Sequence, residues 1–587
     1  MTTIRAHLEK GPLLFDGAAG TLYAARSKNP LQKCELANLT DPDVILGIHR
    51  DYISAGARAI KTNTFGASCA ALDCTDEMLA RVIDAGWALA CRAAGDSAFV
   101  FADIGPIPEC AETGGPDPYI ALADRFLDLG AEHFLFETFS NSDAILRTAA
   151  HIRARKPGAY IIASFAVNPD GFTAQGRLGQ NLVVEAFGSG LIDAAGYNCV
   201  SGPGHLQKLV RELRPSERTL SVMPNAGYPT VVGSRTVYSS GPGYFAEKLS
   251  ELAAAGVKIL GGCCGTDPEF IRETARRLAR PAGIEMDTLP TAPEKPAATH
   301  VPRPAYLEKF DRGEKVIAVE LDPPLDSSIE KYMAGARALK DAGADLITIA
   351  DCPVARSRMD SSIIAIKLRR ELGIDPLPHL TCRDRNLNAT KALLLGLDME
   401  GIRQALIVTG DPIPTAERDA VKSVYNFNSR MLAAYVRELG ETQLRHPFTI
   451  GGALNINARN FDVQLRLAEE KIKNGVSMLL TQPVLSGRGA ENLRRARTHL
   501  DARLMGGIMP VVSYRNACYM NSEITGIEVE DAVAERYRDQ PREICTELAV
   551  EISLDFARRI AGDVDGYYVI TPFSRTDIVG RVIGGLV

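Results

Sequence analysis

Three cysteines, at two places far apart in the chain, carry the chemistry most readily read from this sequence. "GGCCGT" sets Cys263 and Cys264 side by side between glycines, and "GYNC" ends on Cys199. Neighbours on a regular strand point to opposite faces, so a vicinal pair acts together only where the backbone leaves strand geometry. Gly261, Gly262 and Gly265 permit such a bend. Taken alone, the pair reads first as buried small residues or a strained vicinal disulfide. Joined by Cys199 it becomes a three-thiolate set that suits zinc and leaves a fourth tetrahedral position open. A thiol bound there would be deprotonated below its free pKa of about 8.5 and remain nucleophilic.

A second set lies in the other half. Glu320 in "VELDPP" closes an apolar run, and Pro323 and Pro324 fix the chain's exit. A carboxyl group at a partly dry mouth has a raised pKa and can act as a general acid. Asp411 follows Gly410 in "VTGDP", where the missing side chain lets a flat ligand approach the backbone. Gln482 in "LLTQP" offers a donor and an acceptor, and Tyr514 in "MPVVSY" an aromatic face. The residues alone define only a pocket for a planar polar ligand.

These residues need elements that bring them together. Short apolar runs alternate with amphipathic helical stretches throughout the chain. In the first half they lie at 12–16, 58–62, 98–103, 133–138, 160–166, 193–198, 219–225 and 257–262. In the second they lie at 315–321, 345–351, 378–382, 405–411, 447–453, 477–483, 504–512 and 566–571. Such runs read as parallel strands buried on both faces. Eight units per half predict an α/β fold of two (β/α)8 TIM barrels in tandem. A doubly wound open sheet is the alternative, but no GxGxxG follows a first strand. Residues 282–306 are rich in Pro and Ala and read as a linker between domains 1–281 and 307–587. Barrel chemistry sits at the C-terminal strand ends. Asp16, Thr62, Asn63, Asp103, Glu137 and Asn198 thereby join the candidates in the first half, Asp351 and Thr381 in the second.

Composition narrows the class. The 587 residues, 46% hydrophobic and 24% charged, suit two large soluble globular domains. A net charge of −6 without a basic, aromatic-interleaved stripe argues against nucleic acid. No apolar run suits a signal peptide or a membrane span, so a reducing cytoplasm is expected, with the 12 cysteines mostly free or metal-bound.

"FDGAAGT", "KTNTFGA", "GYNC" and "GGCCGTDPEFI" make residues 10–280 resemble the homocysteine S-methyltransferases. That family includes betaine–homocysteine methyltransferase and the homocysteine module of cobalamin-dependent methionine synthase. The resemblance implies that zinc on Cys199, Cys263 and Cys264 activates homocysteine for methylation to methionine. It also implies that Asp16 and Glu137 hold the substrate ammonium, and backbone amides near Gly17 and Ala18 its carboxylate. Asp16 before Gly17 reads equally as a turn residue, and Thr62-Asn63 as a loop hydrogen-bonding pair.

"AVELDPP", "PHLTCRDRN", "LIVTGDP", "KIKNGVSMLLTQP" and "GIMPVVSY" make residues from about 315 to 575 resemble methylenetetrahydrofolate reductase. The resemblance implies FAD, hydride from NADH or NADPH, and reduction of methylenetetrahydrofolate to methyltetrahydrofolate. Glu320 would be the acid that opens the methylene bridge to an iminium. Asp411 would lie near the flavin pyrimidine ring and the pterin, and Gln482 on the folate. Tyr514 would pack on nicotinamide or folate, and Arg575 would belong to the substrate site. His379, Thr381, Gly410 and Lys471 fall in its flavin-binding segments. The chain departs from the family at Leu321 and Asp322, where many members have phenylalanines. Ala350 stands where a threonine is common, and Ala453 near a usual tyrosine.

The whole chain resembles bacterial fusions of these two activities, with homocysteine, folate and a methyl donor as ligands. Two barrels leave no room for a cobalamin module. The expected donor is therefore a sulfonium, S-adenosylmethionine or S-methylmethionine, since direct transfer from the folate is chemically harder. The competing reading is a thiol- or folate-binding protein with one or both sites silent. Homo-oligomer formation is left open.

Overall fold

The computed structural model describes residues 3–586 except 28, 30–31, 109–116, 216, 228, 233–234, 239, 280–294, 298–301, 414–420 and 525. The chain divides into units of residues 1–294 and 295–587. Most of the expected linker 282–306 falls outside the described residues.

In the first unit the parallel strands are β1 (Leu13–Leu14), β2 (Ala59–Lys61), β3 (Phe99–Ile104), β4 (His133–Phe139), β5 (Tyr160–Phe165), β6 (Ala194–Asn198) and β7 (Leu220–Met223). An antiparallel hairpin, β8 (Pro229–Val232) and β9 (Arg235–Tyr238), precedes the last of them, β10 (Ile259–Leu260). The order is β1-β10-β7-β6-β5-β4-β3-β2, and a bridge between Phe15 and Ala59 brings β1 back to β2. Both faces of these strands are buried. Leu13, Phe15, Ala59, Phe101, Leu135 and Ile162 pack into the ring's interior. Their alternates Leu14, Ile60, Ala102, Phe134 and Ile161 pack outward among the helices. The helix Ile4–Leu8 closes the floor, with Ile4 in the same interior cluster.

The second unit is a closed barrel of β11 (Val316–Glu320), β12 (Leu346–Ile349), β13 (Asp375–Thr381), β14 (Gln404–Val408), β15 (Thr449–Leu454), β16 (Val476–Pro483), β17 (Arg503–Ile508) and β18 (Gly566–Ile570). Val316, Ala318, Leu346, Leu377, Leu406, Leu480, Met505 and Tyr568 fill it. Tyr306 and Phe310 of the helix Ala305–Asp311 complete that cluster from below. Several boundaries differ from the sequence reading, most of all at β13, β14 and β17. β13 starts at Asp375 and runs through Pro376 and Pro378, while β17 stops at Ile508, two residues before Pro510. Among the described residues, no helix is long and apolar enough to cross a membrane.

Candidate active sites

Stepping outward by twos along the first barrel's strands leads from its apolar interior to Lys61, Asp103, Glu137, Asn198 and, past β10, Cys263. The vicinal cysteines lie beyond the strand, since β10 stops at Leu260. Their turn is tied to the end of β7. Cys263 N donates to Pro224 O at 2.9 Å, and Cys264 O accepts from Ala226 N at 2.9 Å. Gly262 is required there, because a Cβ would collide with Thr266 Oγ1. Cys199 follows β6 with a φ of 58°, its N donating to Met223 O at 3.1 Å. This brings the three sulfurs within 4.8 Å of one another, with Cys199 and Cys264 3.7 Å apart. The neighbouring sulfurs, together with burial, push the Cys263 thiol well up. Three thiolates so close together call for a cation, and an all-sulfur donor set fits zinc.

Asn198 joins this cluster to the carboxylates. Its Nδ2 lies 3.9 Å from Cys263 Sγ and 3.4 Å from Glu137 Oε2, and it donates to Thr138 Oγ1 at 2.8 Å. Its Oδ1 accepts from Thr138 N at 2.8 Å. Glu137 and Thr138 form an irregularity in the β4–β5 register, and Thr138 has a φ of 68°. Such a bulge re-aims the side chain at a strand end. Asp16 is 2% exposed. Its Oδ2 accepts from Lys61 N at 3.0 Å, and its Oδ1 has no hydrogen-bond partner. Burial pushes its pKa up to about 7 against the pull of Lys61. Lys61 Nζ stands 3.4 Å from Glu137 Oε2. Asp103 is buried with Oδ1 unpartnered, and burial, then Glu137, raise its pKa.

Of the amides expected to take a carboxylate, that of Ala18 donates to Thr266 O at 3.3 Å. Tyr52 OH packs where a Cβ on Gly17 would stand, 2.9 Å away. Thr62 and Asn63 serve the loop. Thr62 Oγ1 accepts from Asp103 N at 3.0 Å, and Asn63 Nδ2 donates to Cys34 O at 2.7 Å. Lys61 was absent from the sequence candidates. Its inward alternation with Ala59 on β2 was the available signal.

In the second barrel, Glu320 takes the inward position after Ala318, its side chain 18% exposed. Tyr568 OH, from β18 beside it, donates to Glu320 Oε2. His379 Nε2 lies 3.8 Å from the same oxygen. Burial first and Asp322 second push the Glu320 pKa up to about 7, opposed by the Tyr568 hydrogen bond. Burial lowers His379 to about 4, so it is neutral at pH 7, and its Nε2 has no hydrogen-bond partner. Tyr568, like Lys61, was missed, because a tyrosine within an apolar run reads as core.

The other flavin candidates and Gln482 lie on or just after β13, β14 and β16, with Lys471 on the helix Phe461–Lys473. Gly410 has a φ of +90°, and a Cβ on it would press on Thr381 Cβ at 3.1 Å and Arg383 Cβ at 3.2 Å. Asp411 Oδ2 accepts from Val354 N at 2.7 Å. Thr381 N and Oγ1 both donate to Asp351 Oδ2 at 3.0 Å, and Arg385 Nη1 donates to that oxygen at 2.6 Å. Lys471 Nζ donates to Ala453 O at 2.6 Å, and burial lowers its pKa. Gln482 sits in an irregularity of the β16–β17 register, between Leu480 and Pro483. The orphan buried nitrogen of His379 fits a hydrogen-bonding heterocycle such as a flavin, whereas the space expected beside Gly410 is filled by Thr381 and Arg383. Two further candidates are partnered within the chain. Tyr514 opens the helix Tyr514–Glu523, beyond β17, with Arg538 4.2 Å over its ring. Arg575 pairs with Asp577 at 2.6 Å.

Comparison with known proteins agrees with this division. The family model described as Homocysteine S-methyltransferase matches residues 13–278, and that described as Methylenetetrahydrofolate reductase matches 306–571. The chain is 33% identical to the methionine synthase of Mycobacterium tuberculosis over an alignment of 302 residues that covers 46% of this chain and 25% of that protein. It is 33% identical to the methionine synthase of Mycobacterium leprae over an alignment of 309 residues that covers 48% of this chain and 25% of that protein. It thus spans about a quarter of the length of these relatives. Among solved structures, the metallated homocysteine methyltransferase MmuM of Escherichia coli is 23% identical, with a TM-score of 0.38, over 47% of this chain and 99% of that one. Residues 13–278 belong to the homocysteine S-methyltransferase family and residues 306–571 to the methylenetetrahydrofolate reductase family, carried in tandem on one chain.

Proposed function

We propose that the first barrel methylates the thiol of homocysteine to give methionine. We further propose that the second reduces methylenetetrahydrofolate to methyltetrahydrofolate with FAD and NADH or NADPH. The observation that carries this reading is the cluster of Cys199, Cys263 and Cys264, three sulfurs at a barrel mouth beside buried carboxylates. A zinc ion held by these cysteines would lower the pKa of the incoming thiol and leave its sulfur nucleophilic. Asp16 and Glu137 provide negative charge for the amino-acid end of the substrate. Asn198 fixes the spacing between that charge and the thiol cluster.

In the second barrel, Glu320 holds a proton near neutral pH and can deliver it to a substrate nitrogen. Tyr568 occupies one oxygen of the carboxyl and so orients the other. His379, Thr381, Gly410, Asp411 and Lys471 would hold FAD, which would supply hydride once reduced by NADH or NADPH. Gln482 would read the folate edge. Tyr514 would pack on nicotinamide or folate, and Arg575 would belong to the substrate site.

The donor for the first barrel is a sulfonium, because the amine anion leaving methyltetrahydrofolate is a poor leaving group unless protonated. Both reactions belong in a reducing compartment, the cytoplasm, where thiols stay free. A binding role with silent sites would need neither a three-thiol cluster nor a carboxyl kept protonated.

The test loads the full chain with zinc and FAD and supplies methylenetetrahydrofolate, NADH plus NADPH, and homocysteine, without sulfonium or cobalamin. Methyltetrahydrofolate alone is expected, with methionine appearing once S-methylmethionine or S-adenosylmethionine is added. Methionine without a sulfonium would make the folate the donor. Neither product under either condition would overturn the reading.

A further inference from the structure

The first barrel buries a cation of its own in the pocket proposed for the substrate ammonium. Lys61 is 8% exposed and points inward at the end of β2. Burying an ammonium costs several kcal/mol unless partners offset it. Here the partners are three carboxylates. Glu137 lies 3.4 Å from Nζ, and Asp16 and Asp103 attract it from neighbouring strand ends. Together they outweigh the cost of burial, so Lys61 stays charged. The pocket is thus partly neutralised before any ligand arrives.

Resting on the homocysteine reading above, we propose that Lys61 is a specificity-determining residue that widens the first barrel's substrate class. That class is short mercapto-carboxylates with or without an α-ammonium. A substrate ammonium must share Glu137 with Lys61, and the two like charges repel, so the ammonium adds little to binding. The substrate carboxylate, by contrast, meets a pocket holding a fixed positive charge. The usual discrimination between an amino acid and its des-amino analogue is therefore blunted. Without Lys61, Asp16 and Glu137 would be uncovered and an α-ammonium would be strongly favoured.

The experiment titrates L-homocysteine and 4-mercaptobutyrate calorimetrically into the zinc-loaded full chain, with no methyl donor. The readout is the ratio of the two dissociation constants. In the wild type the preference for homocysteine stays within about tenfold. Lys61→Met raises it by about tenfold or more, by tightening homocysteine and weakening the analogue. Lys61→Arg, which keeps the charge, stays near the wild-type ratio. Lys61→Met/Glu137→Gln, which removes both the cation and its anion, returns toward that ratio.

A wild-type preference above about tenfold, or a Lys61→Met ratio equal to wild type, overturns the proposal. Should Lys61→Met fail to fold, the wild-type ratio and that of the double variant decide. If neither thiol binds the wild type, the homocysteine reading falls, and the proposal with it.

Discussion

The two barrel mouths start from equivalent inward positions and arrive at different electrostatics. Each strand ring rests on a short helix that closes its floor, and each has a register irregularity that re-aims a polar residue, Glu137 in one and Gln482 in the other. The next layer separates them. The first mouth sets Lys61 among Asp16, Asp103 and Glu137 beside three thiols. The second sets Glu320, with Asp322 near it, against a phenol and a neutral imidazole. Both contain a carboxyl pushed to about 7. Asp16 reaches that value despite a lysine, whereas Glu320 is opposed only by the Tyr568 hydrogen bond. One scaffold thus makes an ion-holding pocket and a proton-holding pocket by changing a single layer of side chains.

The largest effect that separates the mouths is expected from Cys264→Ser. It should remove stoichiometric zinc and lower methionine formation more than about 100-fold, a loss larger than outer-shell changes cause. Reduction of bound flavin by NADH or NADPH should be unchanged, and metal analysis beside a flavin-bleaching assay checks both. Loss of both activities would mean that the mouths are not independent.

Next is Glu320→Gln, which keeps shape and removes the proton. Folate reduction should fall by about 100- to 10,000-fold while flavin bleaching by the nicotinamide persists. Equal loss in both half-reactions would make Glu320 a binding group instead.

Tyr568→Phe sharpens the comparison through pH. The protonated form of Glu320 is the active one, so folate reduction should decline as pH rises through about 7. The Tyr568 hydrogen bond favours the ionised form and holds this pKa down. Its removal should carry the decline to higher pH by up to about one unit. A profile that does not move would reduce Tyr568 to packing.

The smallest effect is expected from Asn198→Ala. Loss of its bonds to Thr138 should cost about 1–3 kcal/mol of first-barrel stability, seen in denaturant unfolding. Zinc affinity should weaken about tenfold or more through misplacement of the neighbouring cysteines.

Much of this arrangement was legible in the sequence. Continuous apolar runs located all sixteen barrel strands to within a few residues, because strands buried on both faces leave an unbroken hydrophobic signature. The three cysteines were legible from the glycines around them. The chemistry within strands was not. Lys61 and Tyr568 sit in runs where a charge or hydroxyl looks incidental, and only the inward alternation with Ala59 and Gly566 would have marked them. The helix that Tyr514 opens under Arg538 follows Pro510, which comes after the end of β17. The floor helices were not anticipated either, being five and seven residues long, too short for a periodic pattern to stand out.

Those floors bear on where the chain can be cut. A boundary drawn at a first strand would sever the stopper from its vessel. The family matches begin at 13 and 306, past Ile4 and inside the helix that holds Tyr306. Anchors for the second barrel reach further back: Arg403 donates to Pro302 O at 2.7 Å, and Lys295 Nζ donates to Gly440 O at 2.8 Å. An excised second half that begins at β11 would open its hydrocarbon interior to water, whereas one that begins at Lys295 carries its own seal.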